Sequence, residues 1–467
     1  HSTLWGMGRV IAQEHPGLRC VRVDLDPASP DNALEPLVAE CCADSTEDQI
    51  AYRGSRRLVA RLARRVLPDR ETPPAGAGLP VRLRPDGAYL ITGGLDGLGA
   101  LVARRLAERG ARCLALISRS GPGPDTDPLV RSLESMNCRT LARSVDVADY
   151  SSLCALAEEI EQQGFRLAGI VHAAGVLDDG VLLQQTRERF ARVLAPKVAG
   201  SWNLHCLAQN RCLDFFVMFS AGAALLGAPG QANHAAANVF MDTLAHLRRA
   251  TGLPALSINW GGWSGTGAAA RSDEAGRLRL KGMGWIEPDA GLSLLERLLQ
   301  TNTLPQVGAL PIRWSAFLAT WAASPFIDDF CRLAAAAEQP AAAFRQDLDA
   351  APAGRRSDLL TRFVCSQTAA ILGLGTDEPP DPRQGFFELG MDSLTSLELQ
   401  KRLQAALGVT LPPTLVFEHP TIDALVRFLE TQPGLQPPAA AGQTPDRESP
   451  DEAARQLSEM LRSIKRS

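Results

Sequence analysis

Tyrosine is scarce in this chain of 467 residues: three in all, at Tyr52, Tyr89 and Tyr150. None follows position 150, so residues 151–467 offer no phenol as an acid or a base. Positive charge is not in excess either. The net charge is −4, which argues against a nucleic-acid surface and gives no reason for membrane attraction. No apolar run approaches the roughly 20 residues that cross a bilayer. The opening "HSTLWGMGRVIAQEHPG" has neither the basic start nor the continuous apolar stretch of a signal peptide, so a cytoplasmic location is expected. An initiator Met is also missing, and the expectation is a fragment of a longer chain. The ten cysteines fall at no metal-clip or redox spacing, and no carboxylate–histidine cluster suggests a metal. Most of the thiols, Cys41 and Cys42 included, are expected to pack as small hydrophobes in a reducing compartment.

What is present is an ordinary globular composition, 45% hydrophobic and 21% charged. Domains of roughly 100–200 residues make two to four of them. Ala/Pro-rich stretches at 333–356 and 432–454 read as linkers around a compact segment, 357–431. The last residues have weak helical periodicity, compatible with a docking helix or a frayed tail. Before the first linker, the runs "AYLITGG" (88–94), "CLALIS" (113–118), "LAGIVHAAG" (167–175), "LDFFVMFS" (213–220) and "LPALSINWG" (253–261) alternate with helical stretches. Continuous apolar runs are what strands buried on both faces require, so the reading is a doubly wound α/β domain with a parallel sheet.

The octet "TGGLDGLG" (92–99) follows the first of these runs and opens a helix. Such a loop points backbone N–H groups and a helix N-terminus at a diphosphate, although a plain tight turn can share the pattern. It is followed, in order, by "SRSGP", "VDVAD", "HAAGVLDDG", "LAPKVAGSWNLH", "FSAGAALLGAPGQANHAAAN" and "SINWGGW". Together these segments resemble the ketoreductase domain of modular type I polyketide synthases, relatives of the short-chain dehydrogenase/reductases, over residues 88–330. The resemblance implies a Rossmann-like fold in which the loop cradles the diphosphate of NADPH. Its residues are Thr92, Gly93, Gly94, Asp96, Gly97, Leu98 and Gly99. It also implies that Arg119 pairs with the 2′-phosphate, and that Asp146 and Val147 flank the adenine. Leu177-Asp178-Asp179 is similar to the signature of ketoreductases that set one particular alcohol stereochemistry. At Asp96 the family usually has glycine. Two like charges ~4 Å apart repel by about 1 kcal/mol in water-like surroundings and about 4 kcal/mol at an effective dielectric of 20. NADPH binding therefore stays open, depending on whether Asp96 faces the diphosphate or turns to solvent.

Ketoreductases of this family protonate the developing alkoxide from a tyrosine. A lysine tunes that tyrosine, a serine binds the carbonyl and an asparagine completes a water relay. By resemblance Lys197 and Asn238 match the lysine and the asparagine, but Ala221 stands at the serine position and His234 at the tyrosine position. Ser220 is one residue off, and on a strand end that turns it toward the other face. An imidazole has an ordinary pKa near 6.5, which the Lys197 cation would lower, and its ring is shorter than a phenol. His234 is then a polar residue at a cleft rim. Losing the proton donor removes ~10²–10⁴ in rate and losing one carbonyl donor ~10²–10³. The expectation is a redox-silent, structural ketoreductase; the alternative is an NADPH-dependent β-ketoacyl-thioester reductase using His234 or a water. His172 belongs at a strand end, and His205 and His246 to helices as packing or surface residues.

In "FFELGMDSLTSLELQKRLQAALG" (386–408), Leu399, Leu403 and Leu407 recur every four residues, with Leu394 and Leu397 nearby, as one core-facing stripe. Helices over 358–372 and 421–430 complete a small bundle, the second opening at Pro420-Thr421. Asp392-Ser393 suits a helix N-cap. The segment is also similar, over its whole length, to an acyl carrier protein, whose four-helix bundle and "GxDS" motif imply that Ser393 carries 4′-phosphopantetheine, with the phosphate at a helix N-terminus. Residues 1–86, with "LWGMGRVIAQEHP" and "IAYRGSRRLVARL", resemble the latter part of the truncated subdomain that precedes a ketoreductase's catalytic half. The expected order is thus 1–86 structural subdomain, 87–332 catalytic subdomain, 333–356 linker, 357–431 carrier and 432–467 tail. The implied partners are a phosphopantetheinyl transferase and the ketosynthase and acyltransferase domains of a synthase module. Pairing into a homodimer within the full module is left open.

Overall fold

The computed structural model describes residues 1–29, 34–65, 83–266, 282–301, 304–319, 321, 324–372, 380–389, 391, 393–412, 414–432 and 435. They form two compact units, His1–Arg332 and Leu333–Ser467. The first unit opens with α1 (Ser2–Glu14), β1 (Arg22–Asp24), α2 (Leu34–Cys42), β2 (Gln49–Arg53) and β3 (Arg56–Val59). β1 pairs parallel with β2, and β2 antiparallel with β3, in a three-stranded sheet. Among the described residues this part has no glycine-rich strand-to-helix turn.

The second part of this unit runs β4 (Gly87–Thr92), α3 (Gly97–Glu108), β5 (Cys113–Ser118), α4 (Asp127–Ser135), β6 (Arg139–Ser144), α5 (Tyr150–Gln162) and β7 (Arg166–His172). It continues through α6 (Arg187–Leu194), α7 (Gly200–Ala208), β8 (Phe215–Ala221), α8 (Gly222–Leu226), α9 (Ala232–Ala250), β9 (Leu256–Trp260), α10 (Pro288–Thr301) and β10 (Gln306–Ala309). All seven strands are parallel, in the order β10-β9-β8-β7-β4-β5-β6. The apolar runs are continuous because both faces are covered. On β4, Tyr89 and Ile91 pack with Val102 and Leu106 of α3, whereas Ala88 and Leu90 pack with Leu153 and Leu156 of α5 and Leu204 of α7. The five runs read from the sequence are the five inner strands. The edge strands β6 ("RTLARS") and β10 ("QVGA") escaped that reading, because an edge strand is half-exposed and carries no continuous apolar signal. The strand order reverses between β4 and β7, which puts a crevice at their carboxyl ends, the usual ligand position in an open α/β sheet.

The thiols correct one expectation. Cys113, Cys138 and Cys365 are buried, but Cys41, Cys42 and Cys212 are exposed and the remaining four partly so. α2 presents its last turn to solvent, so its two cysteines do not pack. His205 is buried against Arg248, and His246 is exposed on α9.

After α11 (Trp314–Leu318), α12 (Asp328–Ala350) and α13 (Ala353–Leu372) carry helix through the stretch expected as a linker. Alanine is the strongest helix former, so an Ala-rich joint need not be irregular. With α14 (Ser393–Leu407), α15 (Leu415–Glu418) and α16 (Ile422–Thr431) they make a helical unit. Its core holds Leu348, Leu360, Val364, Phe386, Leu399, Leu403, Leu407, Leu425 and Leu429. The four-residue leucine stripe of α14 is fully buried at Leu399, Leu403 and Leu407. Thr421 caps α16, its Oγ1 accepting from the Ala424 N–H at 3.2 Å. The expected tail from 436 onward lies outside the described residues. Among the described residues no helix is long and apolar enough to cross a membrane.

Candidate functional site

The nucleotide loop leaves β4 at Thr92 and enters α3 at Gly97. Gly93 and Gly97 have φ of 63° and 51°, in the left-handed region that favours glycine. At Gly99 the demand is for space: a Cβ there would lie 2.0 Å from the Gly93 carbonyl oxygen. The Gly93 and Gly94 N–H groups are spent on the Ile117 carbonyl, at 2.8 and 3.3 Å. The donors left for an anion are those of the first turn of α3, at Gly97, Leu98 and Gly99. Asp96 occupies the N-cap of α3 in extended backbone, with its side chain exposed and making no capping bond. Arg119 follows β5 directly and is exposed, as is Asp146, whose Oδ1 accepts from the Ala148 N–H at 2.9 Å. Val147 is buried against Gly200. These positions ring the carboxyl ends of β4, β5 and β6.

Thr92 and His172 end neighbouring strands in register, and Thr92 Oγ1 lies 2.6 Å from His172 Nδ1. The Thr92 oxygen also accepts from the Ala174 N–H at 3.2 Å. Burial first, and Lys197 second, push the His172 pKa down to about 3.

Lys197 sits in a π-turn, Ala195–Ala199, inserted between α6 and α7. Such a turn is frequent at functional sites because it re-aims one side chain. Its Nζ donates to the Phe219 carbonyl of β8 at 3.1 Å and packs beside Gly175, where a Cβ would come within 2.9 Å of Lys197 Cε. Burial lowers its pKa to about 8, with Asp242 acting in the opposite direction.

β8 then separates two neighbours by its pleat. Ala221 is half-buried on the cleft side. Ser220 is 4% exposed and faces the interior, where its Oγ accepts from Asn259 Nδ2 at 2.9 Å. Asn259 also donates to Asp242 Oδ2 at 2.9 Å, and Ser257 Oγ to Asp242 Oδ1 at 2.6 Å. The nearest serine hydroxyl is therefore committed to a core network, as the alternation of the strand predicts.

His234 lies in the first turn of α9. It is half-buried, and its Nδ1 is shut away from water with no hydrogen-bond partner among the described residues. One ring nitrogen is thus enclosed while part of the side chain meets solvent. Its pKa is pushed down to about 3 by burial first and by Lys197 second. The sequence reasoning named only the lysine, because burial is set by tertiary packing. Asn238, one turn on, is fully buried; its Nδ2 donates to the His234 carbonyl at 2.7 Å and its Oδ1 has no partner among the described residues. Lys197, Ala221, His234 and Asn238 thus converge beside the carboxyl end of β8.

The loop bearing Leu177-Asp178-Asp179 is pinned rather than loose. Asp178 accepts from Arg189 Nε at 2.7 Å and from Arg192 Nη1 at 2.8 Å, and Asp179 Oδ2 from Gln231 Nε2 at 2.9 Å. Glu14, Gln231 and Asn233, which the sequence analysis assigned no role, complete this frame through long-range contacts that carry no local sequence signal. In the second unit Ser393 begins α14, after the loop tied down by the Phe386 N–H to the Pro420 carbonyl at 2.9 Å. Gly390 and Asp392 of the "GxDS" motif lie outside the described residues. Among the described residues no group of three histidines, cysteines or carboxylates could hold a metal ion.

Comparison with known proteins agrees with both units. The KR domain model matches residues 87–265, and the phosphopantetheine attachment site model matches residues 362–429. The chain is 37% identical to the polyketide synthase GfsA of Streptomyces halstedii over 454 residues, 94% of this chain and 6% of that protein. It is 39% identical to the spectinabilin polyketide synthase system protein NorB of Streptomyces orinoci over 452 residues, 92% of this chain and 20% of that protein. The chain therefore spans a small part of the curated relatives it matches. Among solved structures it is similar to A-type ketoreductases from a modular polyketide synthase, with a TM-score of 0.64, 33% identity, and 72% of this chain and 70% of that one covered. It is likewise similar to the first ketoreductase of the tylosin polyketide synthase, with a TM-score of 0.61, 35% identity and 71% of each chain covered. With a seven-stranded parallel sheet of this topology, a glycine loop at its switch point and a helical unit that matches the phosphopantetheine site, the chain belongs to the type I polyketide synthases, as a ketoreductase domain followed by an acyl carrier domain.

Proposed function

We propose that the ketoreductase domain of this chain is redox-silent, and that its carrier domain holds an acyl chain as a thioester on a phosphopantetheine arm at Ser393. A β-keto group then passes through unreduced, and the ketoreductase serves as a spacer and a surface for neighbouring ketosynthase and acyltransferase domains. The observation that carries the reading is the pair Ala221 and His234. Ala221 offers no donor to a carbonyl. His234 is held neutral, and a neutral imidazole is too weak an acid to protonate an alkoxide partner on demand. Ser220 cannot substitute, being bonded into the Asp242–Asn259 network. The glycine loop nevertheless fits a dinucleotide. The first turn of α3 would hold the diphosphate and Arg119 the 2′-phosphate of NADPH, which supplies hydride when bound.

The test is NADPH consumption by the purified chain with a β-ketoacyl thioester, with product identified by mass spectrometry. No alcohol is expected from the native chain, and the double variant A221S/H234Y is expected to form it. Alcohol formed by the native chain at a rate comparable to that variant would refute the reading.

Two observations favour a second reading, a slow reductase using a relayed water. Lys197 keeps its buried position and a pKa near 8, and Asn238 Oδ1 is buried without a partner among the described residues. In that case the native rate is measurable and falls as pH rises through about 8.

A further inference from the structure

We infer that Glu14 is a positioning residue for the cleft: carried on the N-terminal subdomain, its carboxylate fixes the two loops that frame the entrance in front of His234. Glu14 Oε2 accepts from the Leu182 N–H at 2.7 Å, and Oε1 from the Gly230 N–H at 2.6 Å. The same two loops are joined by the Gly180 N–H to the Gly230 carbonyl at 2.7 Å. They also carry the Gln231–Asp179 contact at 2.9 Å and the Asn233 Nδ2 to Asp178 carbonyl bond at 2.8 Å. One carboxylate thus supplies both acceptors that two irregular backbone segments need, and a charged acceptor makes the stronger bond.

The helix that delivers it is firmly seated. Gly6 brings α1 against the backbone of α9, where a Cβ would lie 2.3 Å from the Ala235 carbonyl oxygen. Gln13 donates to the Leu226 carbonyl and Arg9 to the Ala224 carbonyl, on the segment that leads into α9. α1 is therefore the back wall of residues 224–235, and Glu14 is where that wall reaches the opening.

The location of Glu14 separates this role from a bland one. It is the last residue of α1, where a negative charge opposes the helix dipole. An ordinary surface glutamate there would be improved by neutralisation. A glutamine in its place would instead point an NH₂ at one of two N–H donors.

The experiment compares the full chain with its E14Q and E14A variants by hydrogen–deuterium exchange and by chemical unfolding. Peptides covering 178–184 and 227–233 are expected to exchange at least tenfold faster in both variants, while peptides of β4 and β8 are unchanged, and the unfolding midpoint of E14Q falls. Unchanged exchange in both rim peptides would overturn the inference. So would an exchange increase spread evenly over the unit, or an E14Q midpoint above that of the native chain. The isosteric E14Q keeps the test decisive should E14A fail to fold. The inference holds whether or not the ketoreductase reduces its substrate.

Discussion

Acid should loosen the ketoreductase unit through its buried histidines, with the buried Asp242, whose pKa burial raises, acting in the opposite direction. His172 and His234 are each held neutral with a pKa pushed down to about 3, whereas an imidazole in the unfolded chain titrates near 6.5. Between those values the unfolded state binds a proton that the folded state refuses, so stability is full above about pH 6.5 and falls as pH drops toward 3. At pH 5 the difference is about 2 kcal/mol for each fully enclosed histidine, or about 4 kcal/mol for the pair. The share of His234 is an upper value, because part of its ring meets solvent. His205, whose pKa is lowered by burial and then by Arg248, acts in the same direction. All seven tryptophans lie between Trp5 and Trp321, within the first unit, so tryptophan fluorescence reports that unit by itself. Urea midpoints measured from about pH 7.5 down to pH 5 are expected to fall steadily, and in H234Q the slope should be shallower by up to about 1.4 kcal/mol per pH unit. Flat midpoints over that range, or an H234Q slope equal to the native one, would refute the assignment of neutral, enclosed imidazoles.

The carrier and the nucleotide loop give three more tests. Asp96 is exposed, so its repulsion of a diphosphate belongs to the water-like end of the scale, about 1 kcal/mol. D96G should tighten NADPH binding about fivefold in a fluorescence titration, whereas a gain of several hundredfold would place the carboxylate in a desolvated pocket. Leu403 is fully buried, and L403A should cost about 2–5 kcal/mol in the carrier. Circular dichroism should register that loss while the tryptophan transition stays in place. Incubation with coenzyme A and a phosphopantetheinyl transferase should add one arm by mass spectrometry, and none to S393A.

The inner sheet was legible because burial on both faces writes an unbroken apolar run, as in "CLALIS" for β5. β6 and β10 were not, since each lies at an edge and one face carries polar residues. The displacement of Ser220 from the cleft followed from the two-residue period of a strand, and the structure adds only what receives it, Asp242 and Asn259. The orientation of Asp96 was undecidable along the chain, because a helix N-cap and a phosphate-facing loop share the same letters. The depth of His234 was equally hidden. The burial of its Nδ1 is a product of tertiary packing, which the local sequence does not spell out. Glu14 shows the limit most plainly, because its two bonds cross to Leu182 and Gly230, well over a hundred residues away.

The pleat of β8 has a consequence for how such a domain changes its role. Residues 220 and 221 belong to different economies: one anchors a polar knot behind the sheet, and the other looks into the crevice. A hydroxyl can be deleted from or returned to the crevice side without disturbing the knot. The crevice-side position is therefore free to change at little cost to folding.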